Sequence, residues 1–447
     1  MSAARNPKPV VIAGGGIGGL ACALALARKG FRSVVLEQAQ EFGEIGAGIQ
    51  LAPNAWHAID ALGVGALVKK QAVFIERLLL MDGASGEKVI DIPLDRRFAK
   101  RFGNPYAVTH RADIHGSLLD GCKAQSLVEL RAGTRVTDFQ VEDQGVSVST
   151  TGGGIPACAL VGADGGRSVV RERIVGDGEP PVSGHMCYRA VLKVEEMPRD
   201  LRWAAATLWA ANNTHIVHYP LRGWKLFNLV ATVVREHSGT GHNEEAPPGE
   251  VLPLFAHNCD KPMSILRVPR VFRRWMLRFR EPVDNWTQGP VALLGDAAHF
   301  MLQYLAQGAA MALEDALCLA ASADEADGDF RLAFRNYQDS RLVRASRVQV
   351  SARLMGMVFH ASGVERLIRN EIYQGRSAER YYDALDWLFT PPEYVRNFAT
   401  GAARRSPRPS ARRTASSRAP ARSTGSRARG ARPAPRPPSR RTASRGR

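Results

Sequence analysis

The segment VVIAGGGIGGLACALALARKGFRSVVLEQ, residues 10–38, constrains the fold of this chain more than any other feature. A short apolar run leads into a cluster of glycines, then into an apolar helical pattern that ends at Gly30, and then into a second β-branched run. This order predicts a strand over residues 9–13, a helix over residues 20–29 and a second strand from Ser33. The three elements together make a βαβ unit.

The glycine spacing Gly14-x-Gly16-x-x-Gly19 is typical of a turn that holds a dinucleotide. Gly14 allows the tight turn, Gly16 lets the backbone approach a pyrophosphate, and Gly19 lets helix and strand pack closely. The start of the helix adds partial positive charge. Glu37 ends the second strand, where a carboxylate accepts hydrogen bonds from ribose hydroxyls. We interpret the unit as dinucleotide-binding; the alternative is a purely structural glycine turn.

Length and charge indicate two folded domains and a separate basic tail. The chain has 447 residues, whereas single cores rarely exceed about 250–300 residues. The formal charge of the chain is +17. Residues 401–447 contain 15 arginines and no acidic residue, and the rest of the chain contains 45 basic and 43 acidic residues. The tail is poor in apolar residues, so we expect it to be disordered. It could be a nucleic-acid-binding arm or a non-native extension. We favour the extension because the tail lacks aromatic residues for base stacking.

The cysteines and the apolar runs favour a cytoplasmic protein without a membrane span. The six cysteines are widely spaced and include no C-x-x-C pair, which is typical of reduced thiols. The apolar run at the N-terminus breaks at Gly14 and does not resemble a signal peptide. No stretch approaches the roughly 18–20 apolar residues of a membrane helix.

The pattern beyond the βαβ unit predicts a second sheet and C-terminal helices. Residues 77–83 and 87–93 read as a hairpin, and residues 128–151 alternate with period two, which predicts antiparallel strands. Strand-like segments over residues 187–234 predict a second, antiparallel sheet that is half exposed. Helical spacing then continues to about Phe398.

Three further segments resemble motifs of the flavoprotein aromatic hydroxylases, the single-component FAD monooxygenases. They are GADGGRSVVR (residues 162–171), LLGDAAHF (residues 293–300) and HRADIHGSLL, which begins at His110. Together with the glycine motif they occur in the order and spacing of that family, from Pro9 to about Phe398. The positions that match the family are Asp164, Gly165, Ser168 and Arg171 in the first segment, Asp296 in the second and Arg111 in the third.

The resemblance implies a mixed α/β fold in which a Rossmann-like FAD-binding domain is interleaved with an antiparallel-sheet substrate domain. C-terminal helices and the disordered basic tail would follow. We expect the FAD-binding domain over residues 1–75, 105–185 and 275–360, the substrate domain over residues 76–104 and 186–274, a helical segment over residues 361–400 and the tail over residues 401–447.

The resemblance also implies the cofactor chemistry. FAD would be bound, so that Glu37 would serve its ribose, Arg111 its phosphates and Asp296 its ribityl chain, and Asp164 would also contact it. NADH would bind transiently, a flavin C4a-hydroperoxide would carry the oxygen, and the protein would be a homodimer. The chain shows no second glycine motif of Rossmann type for the nicotinamide.

Three polar residues are candidates for substrate contact. In THIVHYPL, a predicted strand, His215 and Tyr219 share one face and His218 lies on the other. By pattern alone they could be ordinary sheet residues. The family resemblance, closest to members that hydroxylate 3-hydroxybenzoate, implies instead that His215 and Tyr219 touch the substrate phenol and that Gln303 in LQYLA contacts the substrate.

The implied reaction converts 3-hydroxybenzoate into 2,5-dihydroxybenzoate (gentisate). Attack at ring position 6 is para to the hydroxyl, where a phenolate is electron-rich. The alternative is decarboxylating 1-hydroxylation of salicylate to catechol; an alternative of another class is a basic nucleic-acid-binding protein that acts through its tail.

Three details complete the sequence-based expectations. The family usually has proline where Phe300 stands, so we expect a looser loop or a narrower pocket there, which puts activity in question. We expect His299 to hold the turn after Asp296 rather than to line the flavin. We assign no metal site, because on a strand His215 and His218 point to opposite faces.

Overall fold

Four sheets and a set of C-terminal helices make up the folded part of the protein. The structure, a computed structural model, describes residues 6–43, 48–235 and 242–400. Its strands are β1 (Val10–Ala13), β2 (Ser33–Leu36), β3 (Gly48–Leu51), β4 (Val73–Phe74), β5 (Arg77–Asp82), β6 (Lys88–Pro93), β7 (Ala107–His110), β8 (Val128–Arg131), β9 (Val136–Glu142), β10 (Gly145–Thr150), β11 (Gly153–Ala157), β12 (Ala159–Gly162), β13 (Val182–Lys193), β14 (Ala205–Ala211), β15 (Thr214–Leu221), β16 (Leu226–Val234), β17 (His242–Ala246), β18 (Phe272–Arg278), β19 (Thr287–Gln288) and β20 (Val291–Leu293). Its helices are α1 (Ile17–Arg28), α2 (Pro53–Ala61), α3 (Gly65–Lys69), α4 (Arg96–Phe102), α5 (Arg111–Lys123), α6 (Val169–Ile174), α7 (Pro248–Val251), α8 (Asp260–Leu266), α9 (Asp296–His299), α10 (Gly308–Glu325), α11 (Phe330–His360), α12 (Gly363–Tyr373), α13 (Ala378–Phe389) and α14 (Glu393–Thr400).

The predicted βαβ unit forms the middle of a six-stranded sheet with the order β19-β20-β12-β1-β2-β8. All neighbours are parallel except the short edge strand β19. Strands β1, β2, β12 and β20 are fully buried, which accounts for their unbroken apolar sequences. Helix α1 is apolar on most faces because α5 and α10 pack against it as well as the sheet.

The prediction for residues 128–151 was wrong in one respect. Strand β8 does not join an antiparallel sheet; it lies parallel to β2 at the edge of the six-stranded sheet. Only β9, β10 and β11 form the antiparallel sheet, with the order β11-β10-β9. An edge strand with one solvated side alternates in the same way as an antiparallel strand, so the pattern could not separate the two.

The second large sheet has eight strands in the order β17-β18-β13-β16-β15-β14-β5-β6. It is antiparallel as predicted, except that β5 and β14 run parallel. The expectation that it is half exposed was wrong, since β15 and β16 are buried on both faces. One face packs against apolar side chains of α7, α8 and the turn between them, whereas the other is turned toward β7 and α11. We call this second side the cleft face.

The C-terminal region is helical, as the sequence predicts, from α10 to α14. The described residues belong to one compact unit, so the division into an FAD-binding and a substrate domain stays a prediction. Strand β13 begins at Val182 and β18 ends at Arg278, so the eight-stranded sheet extends slightly beyond the range 186–274 expected for the substrate domain. The predicted disordered tail lies outside the described residues.

The described residues offer neither a candidate membrane span nor a candidate metal cluster. No helix in residues 6–43, 48–235 and 242–400 is long and apolar enough to cross a membrane. The same residues contain no group of three or more His, Cys, Asp or Glu side chains arranged to hold a metal ion. All six cysteines are free thiols.

His218 is a polar side chain without a partner in the core behind the eight-stranded sheet. It is 1% exposed, and neither ring nitrogen has a hydrogen-bond partner. Its ring lies beside those of Trp203 and Phe227. Burial lowers the pKa of His218 to about 3, whereas a histidine in an unfolded chain titrates near about 6.5. Below that pH the unfolded chain therefore binds a proton at this histidine, whereas the folded protein does not.

We predict that His218→Leu stabilises the protein. At pH 7.5 the gain comes from removing unpaired buried nitrogens and should be about 1–2 kcal/mol in the free energy of unfolding. Because the folded-state pKa is lowered, the wild type loses stability as the pH falls below about 6.5, by up to about 1.4 kcal/mol per pH unit for this residue. The variant's advantage should therefore be larger at pH 5.5.

Thermal unfolding of the purified protein at pH 7.5 and 5.5 measures both effects. His57→Leu is the control. It removes a 2.7 Å contact between His57 Nε2 and the carbonyl oxygen of Phe102 and should therefore destabilise the protein. An unfolding temperature of His218→Leu at or below that of the wild type at both pH values would contradict the prediction.

Candidate active site

Glycines bring the start of α1 close to the turn after β12. Gly14 has φ of +104°, and a Cβ atom there would lie 2.3 Å from the carbonyl oxygen of Ala163. A Cβ atom at Gly19 would lie 2.0 Å from the carbonyl oxygen of Gly14. Gly16 precedes α1, whose first turn has neither a side-chain cap nor an acidic residue. The N–H groups at this helix start can therefore serve an anionic ligand.

Glu37 lies beside this turn at the end of β2. Its carboxylate accepts hydrogen bonds from the N–H groups of Gly15 (2.9 Å) and Ala39 (2.8 Å), which fixes its direction and leaves lone pairs for hydroxyl donors. On the other side of the turn, His115 Nε2 lies 2.8 Å from the carbonyl oxygen of Gly15. No sequence prediction singled out His115. Its spacing of four residues from Arg111 on α5 is the signal that could have found it.

Asp164 organises the turn that precedes α6. Its Oδ1 accepts a 2.5 Å hydrogen bond from the Ser168 hydroxyl, and its Oδ2 accepts a 2.8 Å bond from the N–H of Val169. Burial raises the pKa of Asp164, and these bonds oppose the rise. The structure thus assigns this carboxylate a local role, and its predicted contact with a cofactor stays a prediction.

Arg171 ties this turn to the distant segment at α9. The side chain is fully buried, and its Nη1 donates to the carbonyl oxygens of Ala297 (2.9 Å) and Ala298 (2.8 Å). Its Nη2 donates to Asp177 at 2.8 Å, so the buried charge is paired. One guanidinium therefore holds two of the motif segments in a fixed relation.

Asp296 begins α9, directly after Gly295, whose φ of +64° makes the turn. Burial raises the pKa of Asp296, and the nearby charges of Arg111 and His299 act against this. The start of α10 also lies here, since a Cβ atom on Gly308 would be 3.9 Å from Asp296 Oδ1. Asp296, Arg111 and a second helix N-terminus are thus gathered at one place.

His299 holds the turn after Asp296, as predicted. Its Nε2 lies 2.6 Å from Asp315 Oδ2, which also accepts a 3.0 Å hydrogen bond from the N–H of Gly295. Arg341 donates to the other oxygen of Asp315 at 2.6 Å. Burial would raise the pKa of Asp315, but His299 and Arg341 outweigh it and lower that pKa to about 2.

Phe300 replaces the family's proline without changing the backbone that a proline would adopt. Its φ is −56°, which is within the range fixed by a proline ring. The ring packs on Gly166, where a Cβ atom would lie 2.4 Å from the Phe300 ring. Its carbonyl oxygen accepts a 2.8 Å hydrogen bond from the N–H of Arg280. The aromatic ring therefore fills the space that Gly166 leaves open.

The cleft face of the eight-stranded sheet carries the predicted substrate residues. His215 and Tyr219 lie on this side of β15, whereas Ile216 and His218 lie in the core behind the sheet. Within the described residues no hydrogen bond joins His215 to Tyr219, which lie four positions apart on the strand. Gln303 reaches the same face from the 3₁₀ turn Gln303–Leu305.

His215 belongs to a cluster of rings that the sequence did not reveal. Its Nδ1 lies 2.7 Å from His360 Nε2 and the two rings are stacked, while the Tyr304 ring lies edge-on at 5.1 Å. His185 Nδ1 lies 2.5 Å from the Tyr304 hydroxyl. Burial lowers the pKa of His215 well below its usual value, and His360 and His185 add to the effect. His215 is therefore a neutral base at neutral pH.

Arg189 lies between Tyr219 and Gln303 and was also missed. Its Nη2 donates to Gln303 Oε1 at 2.6 Å. Burial raises the pKa of Tyr219, and the nearby charge of Arg189 opposes the rise. The Tyr219 ring packs on Gly48, where a Cβ atom would lie 2.5 Å away. The signal for Arg189 was a polar side chain at every second position of the otherwise apolar strand β13, at His185, Cys187 and Arg189.

A family model described as "FAD binding domain" matches residues 8–329. The chain belongs to this family. It is an FAD-binding protein, and its relatives are hydroxylases. It is 46% identical over 382 residues to the 3-hydroxybenzoate 6-hydroxylase of Polaromonas naphthalenivorans, covering 85% of this chain and 95% of that protein. It is 44% identical over 380 residues to the 3-hydroxybenzoate 6-hydroxylase of Klebsiella oxytoca, covering 85% and 96%. Among solved structures, a salicylate hydroxylase substrate complex has a TM-score of 0.75 at 23% identity, with 90% and 100% covered, and shares the fold.

The residues of this FAD-binding family member fit the cofactor. The glycine cradle and the uncapped start of α1 suit the pyrophosphate, and Glu37 suits the adenosine ribose. Arg111 suits the phosphates and Asp296 the ribityl hydroxyls. The start of α10 adds an orphaned donor, because Gln307 is 1% exposed and its Nε2 has no hydrogen-bond partner. These assignments are our expectations for the individual residues.

We predict that Glu37→Ala weakens FAD retention, because the ribose hydroxyls lose their acceptor and the N–H groups of Gly15 and Ala39 lose theirs. The flavin absorbance per protein should fall at least several-fold after gel filtration. Glu41→Ala, an exposed acid four residues on, should keep full occupancy. Equal occupancy in both variants would remove Glu37 from the cofactor site.

Proposed function

We propose that this protein is an FAD-dependent, NADH-consuming monooxygenase that converts 3-hydroxybenzoate into 2,5-dihydroxybenzoate (gentisate). One atom of dioxygen enters the ring at position 6, the other leaves as water, and NADH supplies two electrons. The observation that carries the proposal is the similarity to relatives named 3-hydroxybenzoate 6-hydroxylase over 85% of the chain. The polar side chains of the cleft face give this chemistry a place.

Bound FAD supplies the redox chemistry, taking electrons from NADH and activating dioxygen. The side chains of the protein activate the aromatic ring of the substrate. His215 Nδ1 is engaged by His360, so Nε2 is the nitrogen that acts on the substrate. Because His215 is neutral, Nε2 accepts the phenol proton while Nδ1 stays hydrogen-bonded to His360. The resulting phenolate is electron-rich at the para position, which is position 6.

Tyr219 and Gln303 complete the proposed contact with the phenol oxygen. Tyr219 is 4% exposed and is held against Gly48, while Gln303 is held by Arg189. Side chains fixed in this way lose little further freedom when the substrate binds. Burial of this face also excludes water from the reacting ring.

Salicylate 1-hydroxylation is the less favoured alternative. It requires attack at the carbon that bears the carboxylate, ortho to the phenol. The salicylate hydroxylase structure is 23% identical to this chain and shares its fold, whereas the relatives at 44–46% identity carry the other name.

Product analysis tests the proposed reaction. We expect purified protein with FAD and NADH to convert 3-hydroxybenzoate into gentisate with one NADH consumed per product, and to leave 2- and 4-hydroxybenzoate unhydroxylated. Formation of catechol from salicylate without gentisate from 3-hydroxybenzoate would reject the substrate assignment. NADH consumption that yields only hydrogen peroxide would reject productive hydroxylation.

We predict that His215→Ala and Tyr219→Phe each slow gentisate formation by roughly 10²–10⁴-fold, the range for loss of a general base or its partner. Flavin occupancy should stay unchanged. His218→Leu is the matched control, since it lies on the same strand but on the opposite face and should keep turnover within about twofold. The measurement is the rate of hydroxylation at saturating substrate and NADH. Wild-type rates in both His215→Ala and Tyr219→Phe would remove these two residues from the mechanism.

The protein's assembly state is proposed to be a homodimer in the cytoplasm. Helices α11 and α12 expose several large apolar side chains, which we call the apolar ridge, and an isolated monomer rarely leaves so many uncovered. The ridge consists of Val343, Val350, Leu354, Met357, Val364, Leu367, Ile368 and Ile372. A second copy of the same ridge would cover it through a twofold axis. Six free thiols fit a reducing compartment.

We predict that the double variant Leu354→Glu with Met357→Glu is monomeric, because it places charges in the proposed interface. These side chains are 56% and 73% exposed, so the fold itself should tolerate them. Light scattering after gel filtration gives the mass. Val271→Glu, at a 45% exposed position outside the ridge, should stay dimeric. A monomeric wild type, or a dimeric double variant, would contradict this interface.

A further inference from the structure

Arg189 is a cation on the cleft face whose charge has no acidic partner. Its Nη2 donates to Gln303 Oε1 at 2.6 Å and its Nε lies 3.5 Å from Cys187 Sγ. Among the residues that the structure describes, no carboxylate lies within ion-pair distance of it. Both of its contacts are neutral, so the charge of the guanidinium is left uncompensated.

The most deeply buried arginines of the described chain differ from Arg189 because each has an acidic partner. Four arginines of the described chain are at most 4% exposed, and each has a carboxylate partner. The pairs are Arg171–Asp177, Arg280–Asp177, Arg341–Glu314 and Arg369–Asp82. Removing a charge from water is costly unless an opposite charge or strong hydrogen bonds offset it. Arg189 is half-buried, and an anion that enters the cleft would supply the opposite charge that its neighbours do not.

Unsatisfied polar groups lie on the same face and point to a ligand. Asn228 Nδ2 and Thr232 Oγ1 are buried and have no hydrogen-bond partner. Asn228 is the cross-strand neighbour of Tyr219, and Thr232 is the neighbour of both His215 and Cys187. Buried polar atoms are almost always paired in native structures. A polar ligand on this face would therefore satisfy groups that the protein leaves open.

We propose that Arg189 binds the carboxylate of the aromatic acid substrate and thereby selects acids over uncharged phenols. The inference rests on the proposed function and deepens it by naming the residue that recognises the second polar group of the ring. A guanidinium matches a carboxylate with two parallel N–H···O bonds. The position suits a meta arrangement, because Arg189 lies next to Tyr219 and Gln303, which contact the phenol oxygen. Anchoring the carboxylate stops the ring from rotating about the axis through carbons 3 and 6.

Arg189 is a binding and specificity residue in this proposal, distinct from the proton-accepting His215. Its loss should therefore weaken the acid and spare an uncharged analogue. A merely structural role would instead weaken both ligands equally or release FAD.

The test is an equilibrium titration of the oxidised holoenzyme with 3-hydroxybenzoate and with 3-hydroxybenzamide, followed by the visible absorbance of the flavin. The amide has the same shape but no charge. Arg189→Met and Arg189→Gln remove the charge, so that if one variant fails to hold FAD the other decides. Arg189→Lys keeps a point charge without the two-pronged geometry. Arg202→Met is the control, because Arg202 is also half-buried but donates to the carbonyl oxygens of Met197 and Glu195.

We expect the neutral variants to bind 3-hydroxybenzoate about 10²–10³-fold more weakly than the wild type, and the amide within about threefold. The lysine variant should lie between, and Arg202→Met should match the wild type. In steady state the loss should appear mainly in KM and less in kcat. Acid affinity within threefold of the wild type in a flavin-loaded neutral variant would overturn the proposal, and so would equal losses for acid and amide.

The outcomes separate this inference from the proposed function. If the wild type makes gentisate but the neutral variants keep their preference for acid, only the role of Arg189 fails. If the wild type makes no gentisate, the titration is repeated with salicylate and salicylamide. A preference for the acid that disappears in Arg189→Met then supports Arg189 while the proposed substrate fails. A wild type that binds no aromatic acid better than its amide overturns the role of Arg189.

Discussion

The parallel pairing of β1 with β2 and β12, continued outward by β8 and β20, is the constraint on which the site depends. Parallel strands place their carboxyl ends at one edge of a sheet. The turns that carry Gly14, Glu37, Asp164 and Asp296 follow β1, β2, β12 and β20, so they meet although they are far apart in sequence. The close approach of Gly14 to Ala163 then leaves room only for backbone at the centre of this edge.

Charges are treated differently on the two sides of the site. On the cofactor side the buried arginines are paired, Arg171 with Asp177 and Arg341 with Glu314 and Asp315. Removing one partner of such a buried pair leaves an uncompensated charge, so these groups fix the turns on which Asp296 lies. On the cleft face the histidines are kept neutral by burial, and Arg189 has no acid within ion-pair distance among the described residues. The paired arginines thus make the cofactor side rigid, whereas the substrate side keeps neutral histidines and an arginine available to a ligand.

Local sequence patterns predicted the helices and strands well, but they did not predict which segments pack around them. The βαβ unit, the hairpin of β5 and β6, and the face shared by His215 and Tyr219 follow from spacing over a few residues. The parallel placement of β8 and the burial of β15 on both faces could not be predicted, because they depend on neighbours supplied by distant segments. The same holds for the site, where the contacts of His215 with His360 and of Arg189 with Gln303 join residues more than 100 positions apart. No spacing rule reports such pairs.

The most direct measurement is a crystal structure of the protein with FAD and 3-hydroxybenzoate. We expect the adenosine ribose at Glu37, the pyrophosphate at the start of α1 and the ribityl chain at Asp296. The aromatic ring should lie between the flavin and the cleft face, with its hydroxyl oxygen at His215, Tyr219 or Gln303 and its carbon 6 toward the flavin. An aromatic ring bound elsewhere, or with its hydroxyl oxygen turned away from these three side chains, would contradict the assignment of this face as the site of hydroxylation.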